Sequence, residues 1–335
     1  MKGNFKRKEK SIEEFVEGII NEDRVTLAQA ITLVESNSTR HFEKAQQLIE
    51  AILPHRKKAM RIGITGVPGA GKSTFIDTFG TFLTNKKLKV AVLAVDPSSK
   101  VSKGSILGDK TRMERLARNE FAFIRPSPSG GTLGGVNRKT RETILLCEAA
   151  GYDVILVETV GVGQGEFVVR SMVDFFLLVV LTGAGDELQT MKKGIMELPD
   201  LVVVNKADGD NIEKAKKAKN ELNTMLHFLT PYTEGWKTKA VTASSLMETG
   251  IDEIWDLIKE FFTKIEQSGL FEKRRNEQQL EWMHDMIKEQ LLRMFYEHHE
   301  IKKLLPQLEN DVLTGKKPVS STVYQLVKSF SNLLK

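Results

Sequence analysis

A scarcity of cysteine is the first notable feature of this chain, since its 335 residues contain Cys147 alone. One thiol excludes an intrachain disulfide and favours a reducing compartment over the class of disulfide-rich secreted domains. No apolar run reaches the ~20 residues of a membrane helix; the longest, Phe175–Leu181, has the length of a strand. Residues 1–10 lack the apolar core of a signal peptide. We therefore expect a cytoplasmic protein that does not associate with a membrane.

Neither sign of charge dominates the sequence. The chain has 49 Lys and Arg against 44 Asp and Glu, a net charge of +5, and its basic residues form no motif with regularly interleaved aromatic residues. We interpret the basic residues as solvated faces, which argues against a nucleic-acid partner. His298 and His299 are adjacent in sequence and lack the spacing of a metal site, so no transition metal is expected.

A glycine-rich loop between an apolar run and an amphipathic stretch is the most informative motif. The run Met60–Thr65 predicts a buried strand, and Gly66-x-x-x-x-Gly71-Lys72-Ser73 follows it. In this phosphate-binding pattern backbone N–H groups surround the phosphates, Lys72 reaches the β- and γ-phosphates, and the Ser73 hydroxyl ligates Mg²⁺. The alternative is a plain turn, which the combination of strand, loop, Lys-Ser pair and helix disfavours. The residues expected at the phosphates are Gly66, Pro68, Gly69, Ala70, Gly71, Lys72, Ser73 and Thr74.

A second motif indicates which base the nucleotide carries. Asn205-Lys206-Ala207-Asp208 follows an apolar strand, and a carboxylate there can accept hydrogen bonds from both the ring N–H and the exocyclic amine of guanine. Adenine cannot supply both donors, so the motif favours GTP and GDP. Asn205 can bond base and loop together, while the aliphatic stem of Lys206 covers the ring face. Serines after the next strand are by themselves more often a turn than a base contact. The residues there that are expected to offer a backbone N–H to the guanine carbonyl oxygen are Ser244, Ser245 and Leu246.

Acidic residues at the ends of two predicted strands are candidates for the Mg²⁺ shell. Asp96 ends the second strand and Glu158 ends the fourth, and open sheets place metal ligands at such carboxyl ends. A turn or helix cap is an equally good interpretation of Asp96, and a helix cap is an alternative for Asp109. Gly161 follows Glu158 closely enough for its backbone N–H to sense the γ-phosphate. The expected metal ligands are Ser73, Asp96, Asp109 and Glu158.

The order of apolar runs predicts the fold class. From Met60 the chain alternates buried strands with helices, which is typical of an α/β protein with a mainly parallel central sheet. We expect a P-loop NTPase domain at residues 57–268, an N-terminal helical module at 1–56 and a C-terminal helical arm at 269–335. The predicted strands are Met60–Thr65, Val90–Val95, Phe121–Ile124, Val154–Glu158, Phe175–Leu181, Leu201–Asn205 and Lys239–Thr242.

The C-terminal arm begins with a long charged helix whose apolar residues recur at spacings of three and four. Such a seam is compatible with an oligomer contact and, about equally, with packing back onto its own domain. Pro306 is expected to end the helix, and a polar segment to Pro318 leads to a final helix. The seam consists of Leu280, Met283, Ile287, Leu291, Met294 and His298.

Several segments together resemble the MeaB/ArgK family, the methylmalonyl-CoA mutase-associated GTPases of the SIMIBI-type P-loop class. Two of them, Gly104–Met113 and Glu158–Gln164, are far more specific than the phosphate loop. Gly165 is a departure, because serine is expected there in the family pattern. The resemblance covers nearly the whole chain and also involves Thr26–Ser36, Gly66–Thr74, Val95–Ser99, Asp186–Gln189 and Trp282–Leu305.

The resemblance implies a GTPase that assists an adenosylcobalamin-dependent acyl-CoA mutase by gating cofactor loading and protecting or reactivating the mutase. It implies a homodimer formed through the C-terminal arm, Mg²⁺ with bound GTP or GDP, and adenosylcobalamin only through the partner mutase. By position it implies catalytic roles for Lys72, Asp109, Arg112 and Glu158, with Arg112 in a first switch region. A third switch that couples to the mutase would contain Asp186, Gln189 and Lys192.

Two other functions remain as alternatives. A nickel-delivering GTPase normally has a Cys- or His-based metal site near its switches, which the single Cys147 disfavours. An ATP-dependent kinase or transport-associated ATPase, an older label of this family, is disfavoured by Asn205–Asp208.

Overall fold

Three helices come first in the computed structural model, which describes residues 10–95, 113–126, 133–159, 165–183 and 194–333. Ser11 caps the first helix: its hydroxyl accepts the Glu14 N–H at 3.2 Å, and the Glu14 carboxylate accepts the Ser11 N–H at 2.7 Å. The helices bury an apolar face that includes Ile19, Ile31 and Leu48. They are α1 (Ile12–Ile20), α2 (Arg24–Val34) and α3 (Thr39–Ile52).

Seven strands in the described ranges form one parallel sheet in the order β3-β2-β4-β1-β5-β6-β7. The mainly parallel sheet is thus confirmed, and every predicted strand end lies within one residue of the observed end. Runs such as Val-Ala-Val-Leu-Ala-Val are buried at every position, which explains the parallel arrangement with helices on both faces. The strands are β1 (Met60–Gly66), β2 (Val90–Val95), β3 (Ala122–Arg125), β4 (Val154–Thr159), β5 (Phe175–Val180), β6 (Leu201–Val204) and β7 (Lys239–Thr242).

The centre of the sheet is β1, where Ile62 pairs with Leu156 of β4 on one side and Phe175 of β5 on the other. Strands β2 to β4 therefore lie to one side of β1, and β5 to β7 lie to the other. The strand order reverses here, and in open α/β sheets ligands bind at the carboxyl ends of the strands at such a point.

Helices cover the sheet and complete its core. Phe75 and Phe79 stack with their ring centroids 5.6 Å apart, and Phe261 meets Phe175 edge-on at 4.8 Å. Cys147 is buried, and burial raises the pKa of its thiol. The helices are α4 (Lys72–Asn85), α5 (Glu114–Ala117), α6 (Leu133–Ala149), α7 (Gly165–Arg170), α8 (Ile212–His227) and α9 (Ile251–Gln267).

The C-terminal part contains α10 (Leu270–Glu297), α11 (His299–Leu313) and α12 (Val319–Leu333). The prediction that Pro306 ends the long helix is wrong, because the chain turns at His298 and Pro306 lies inside α11. His298 has an extended backbone, and its Nδ1 accepts the Glu300 N–H at 3.3 Å, which starts a new helix. The segment after Pro306, predicted to be polar, is helical as far as Leu313, and its Leu308 is buried.

The chain divides into two compact units, residues 1–278 and 279–335. In the second unit a small core joins α11 to α12 through Ile301, Leu308 and Leu326. Among the described helices of either unit, none has a stretch long and apolar enough to span a bilayer.

Candidate nucleotide site

The glycine-rich loop leaves the carboxyl end of β1 and enters α4. Gly71 caps α4 with a left-handed backbone (φ +84°), and the helix begins at Lys72. The first N–H groups of α4 have no partner within the helix, so its N-terminus favours negative charge. A strand, a turn of this kind and a helix N-terminus together form the arrangement expected of a phosphate site.

Lys72 is buried at the start of α4 and is held by the loop itself. Its Nζ donates to the carbonyl oxygen of Gly66 at 2.7 Å and to that of Val67 at 3.3 Å. Burial lowers the pKa of Lys72, and the carboxylates of Glu158 and Glu166 oppose that effect. The amine is therefore positioned over the loop, where an anion could replace the carbonyl oxygens as its partner.

Ser73 and Glu158 come together beside the loop. The Ser73 hydroxyl donates to Glu158 Oε1 at 3.3 Å, and Glu158 is buried near the end of β4. A hydroxyl and a carboxylate are hard oxygen donors of the kind that Mg²⁺ accepts, so these two residues fit the predicted metal site.

The base motif is tied directly to the phosphate loop. Asn205 follows β6, and its amide Nδ2 donates to the carbonyl oxygen of Ala70 at 2.9 Å. Its Oδ1 accepts both the hydroxyl of Ser245 at 2.8 Å and the N–H of Ser245 at 3.3 Å. A buried Asn205 thus joins three segments that are far apart in sequence, the phosphate loop, the end of β6 and the loop after β7.

Asp208 faces the loop after β7. Its carboxylate accepts the hydroxyl of Ser244, which is fully buried and also accepts the N–H of Met247 at 3.0 Å. Lys206, between Asn205 and Asp208, has a left-handed backbone (φ +59°), which is uncommon outside glycine. Leu246 is 77% exposed, so its side chain is available to cover a ligand.

Pro68 lies in the loop and Thr74 in the first turn of α4, and both are exposed. The other residues predicted from sequence lie outside the described ranges. Among the residues that the structure describes, no group of three or more His, Cys, Asp or Glu side chains could hold a metal ion. The roles of the residues outside those ranges stay predictions; they are Asp96, Asp109, Arg112, Gly161, Asp186, Gln189 and Lys192.

The loop after β7 that contains Ser244, Ser245 and Leu246 is called the base loop. Sequence analysis missed three side chains that support it: Asp77, Thr78 and Arg115. Asp77 and Thr78 are buried within α4, and Thr78 donates to the carbonyl oxygen of Ser245 at 2.8 Å. The available signal was a polar pair among the apolar residues of α4, because a helix seldom buries such residues without partners.

Replacing Gly71 by alanine should destabilise this loop more than replacing Gly69. Both glycines are left-handed (φ +84° and +80°), and alanine costs about 1–2 kcal/mol in that conformation. A Cβ at Gly71 would lie 2.8 Å from Asn205 Nδ2, whereas nothing lies within 4 Å of one at Gly69. In urea unfolding without nucleotide, the free energy of unfolding of Gly71→Ala should be ~1 kcal/mol lower than that of Gly69→Ala, the value of one hydrogen bond. Equal losses would contradict this close packing.

Comparison with known proteins places the chain among GTPases. A family model described as "Methylmalonyl Co-A mutase-associated GTPase MeaB" matches residues 27–300. The chain is 48% identical over 299 residues to "GTPase ArgK" of Escherichia coli strain K12, covering 89% of this chain and 90% of that protein. It is 44% identical over 336 residues to the mouse "Methylmalonic aciduria type A homolog, mitochondrial", covering 97% and 81% of the two chains.

A solved structure described as an "LAO/AO transport system kinase" has the same fold. It is 39% identical to this chain, superposes with a TM-score of 0.76, and the match covers 96% of this chain and 97% of that one.

Proposed function

Because the chain belongs to the MeaB family of methylmalonyl-CoA mutase-associated GTPases, we propose that it hydrolyses GTP to assist an adenosylcobalamin-dependent acyl-CoA mutase. In this role nucleotide turnover gates loading of the mutase cofactor and protects or reactivates the mutase. The mutase is of the methylmalonyl-CoA type, in line with the family description. Adenosylcobalamin belongs to the partner and not to this chain.

The observation that carries the GTP assignment is the hydrogen bond from Asn205 to the Ala70 carbonyl at 2.9 Å. It connects the base motif to the phosphate loop, so that one nucleotide can reach both. Asp208 accepts from the guanine edge, and the loop from Ser244 to Leu246 offers a backbone N–H to the guanine carbonyl oxygen. Adenine presents an amine at that carbonyl position and would meet a donor there.

Hydrolysis proceeds by in-line attack of water on the γ-phosphorus, with cleavage of the bond to the β–γ bridging oxygen and release of GDP and phosphate. Lys72 neutralises the negative charge on the β- and γ-phosphates. Ser73 and Glu158 would hold Mg²⁺, which would offset phosphate charge when bound. Asp96, Asp109 and Arg112 complete the metal shell and first switch in this proposal, and Gly161 senses the γ-phosphate. Asp186, Gln189 and Lys192 form the switch that couples to the mutase.

We also propose a homodimer formed through α10. Five of its apolar side chains, at spacings of three and four, are between 44% and 57% exposed, and a second copy of the helix would cover them. These residues are Leu280, Met283, Ile287, Leu291 and Met294. The buried, unpaired thiol of Cys147 is compatible with a reducing compartment, and we assign the protein to the cytoplasm.

The test is a hydrolysis assay with GTP, and with ATP as the control, in the presence and absence of an adenosylcobalamin-dependent acyl-CoA mutase. We expect the protein to hydrolyse GTP and not ATP, and the rate of GTP hydrolysis to rise when the mutase is added. Lys72→Ala, prepared in parallel, measures the background from contaminating phosphatases. A rate of GTP hydrolysis that no such mutase changes would support the GTPase activity and refute the mutase as its partner. Hydrolysis of ATP at the same rate would refute the base assignment.

A further inference from the structure

We propose that Arg115 is a positioning residue for guanine recognition, which acts through Thr78 on the peptide between Ser245 and Leu246. The inference rests on the proposed function, because it concerns the base side of the same nucleotide site. Arg115 lies in α5, which packs against the helix that starts at the phosphate loop. It therefore acts on the base loop through α4.

The guanidinium of Arg115 donates to three different side chains. Its Nε donates to Asp77 Oδ2 at 2.9 Å, its Nη2 donates to Thr78 Oγ1 at 2.8 Å, and its Nη1 donates to Glu248. The other carboxylate oxygen of Asp77 accepts the Leu116 N–H at 2.9 Å and fixes α5 on α4. A planar group that donates in three directions holds these partners in one fixed geometry, which a lysine amine could not reproduce.

Thr78 passes this constraint to the base loop. Its oxygen accepts from Arg115, so its own hydrogen is directed at the Ser245 carbonyl oxygen, 2.8 Å away. In a planar trans peptide the C=O and the N–H point in opposite directions. Holding the Ser245 carbonyl against α4 therefore directs the Leu246 N–H away from α4. Within the described ranges this N–H has no hydrogen-bond partner, so it is available to a ligand.

The other end of Ser245 is bound to the phosphate side of the site. Its N–H and hydroxyl donate to Asn205 Oδ1, and Asn205 donates to the Ala70 carbonyl. An unbroken series of hydrogen bonds thus runs from Arg115 to the phosphate loop. If the first bond is lost, the Leu246 N–H loses its fixed direction while the phosphate loop keeps its own contacts.

The experiment measures affinity for GDP and for inorganic triphosphate, which occupies the phosphate loop without a base. Arg115→Ala should weaken GDP binding about tenfold, the value of one well-formed hydrogen bond, and leave triphosphate binding within about twofold. Thr78→Val should give a similar loss, and the double variant no more than either one, since both remove the same constraint. The control is Arg118→Ala, a side chain on the adjacent surface that is 84% exposed. It should change neither affinity.

Two results would overturn the inference. Equal losses of GDP and triphosphate affinity in Arg115→Ala would mean that the side chain merely stabilises α4. If the wild type prefers GDP over ADP and Arg115→Ala binds GDP with the same affinity as wild type, the positioning role is refuted and the proposed function stays intact. A wild-type protein that binds ADP as tightly as GDP would instead refute the proposed function, and the inference with it.

Discussion

Asp208→Asn should lower the affinity for GDP roughly hundredfold and shift the preference of the site toward xanthine nucleotides. In the proposed complex the carboxylate accepts two hydrogen bonds from guanine, each strengthened by its charge. Asparagine keeps one acceptor and presents an NH₂ group to the exocyclic amine, so one bond becomes a contact between two donors. Xanthine carries a carbonyl oxygen at that position and can accept from the same NH₂ group.

Competition titrations with GDP, xanthosine diphosphate and ADP measure this change. Asp210→Asn is the matched control, because Asp210 is exposed two residues further along the same turn. It removes the same charge from nearly the same place and should leave all three affinities unchanged. If Asp208→Asn binds GDP as wild type does, the guanine assignment of Asn205–Asp208 fails.

Arg275→Ala should destabilise the fold by about 3–5 kcal/mol, the range for removing one member of a buried ion pair. Arg275 donates to Asp174 Oδ1 at 2.9 Å and to Oδ2 at 2.7 Å, and the Asp174 side chain is 1% exposed. The same guanidinium donates to the carbonyl oxygen of Ala59 at 2.7 Å and lies 3.4 Å from Glu148. Without Arg275, the buried carboxylates of Asp174 and Glu148 share the remaining guanidinium groups.

The pH dependence of this loss identifies its cause. Burial alone would raise the pKa of Asp174, but Arg275 and Arg61 hold the pKa below its usual value. In wild type this carboxylate contributes stability above the unfolded-state pKa of about 4, and that stability is lost as pH falls through the lower folded pKa. The variant lacks the principal partner of Asp174, so burial raises the folded-state pKa of that carboxyl relative to wild type. The deficit is therefore largest at neutral pH. It begins to shrink as pH falls through this raised pKa, where protonation relieves the unpaired charge, and shrinks further as pH falls toward the lower folded pKa of wild type.

Urea unfolding at a series of pH values measures the deficit. Lys273→Ala is the control. Lys273 lies two residues earlier in α10 and is exposed, and the substitution removes a charge of the same sign. It should leave the free energy of unfolding nearly unchanged at every pH. A deficit of Arg275→Ala that is the same at pH 3 and pH 7 would mean that packing, and not the ion pair, is lost.

The strands and the position of the phosphate loop could be predicted from the sequence because both depend on local pattern. Runs such as Phe175–Val180 are apolar at every position, and such runs indicate buried parallel strands whatever surrounds them. The loop from Gly66 to Ser73 has a fixed spacing for the same reason, since each residue type is needed for a local conformation or a contact.

The features that sequence analysis missed depend on contacts between distant residues. Arg115 and Glu248 are 133 positions apart, and Arg275 and Asp174 are 101 positions apart. No local pattern marks such pairs, and the sequence shows Arg275 only as one charge of a long charged helix. The wrong prediction at Pro306 has another cause: the residue lies inside α11, while the cap at His298 uses an uncommon side chain.

The position of Arg275 in the chain also constrains when the first unit can finish folding during synthesis. Asp174 and Glu148 are made early, whereas Arg274, Arg275 and Gln278 lie at the very end of that unit. Gln278 donates to the Val173 carbonyl at 2.8 Å, next to the strand that Asp174 precedes. A nascent chain that stops before these residues has two buried carboxylates short of partners. The nucleotide-binding fold therefore reaches full stability only after most of the protein has been translated.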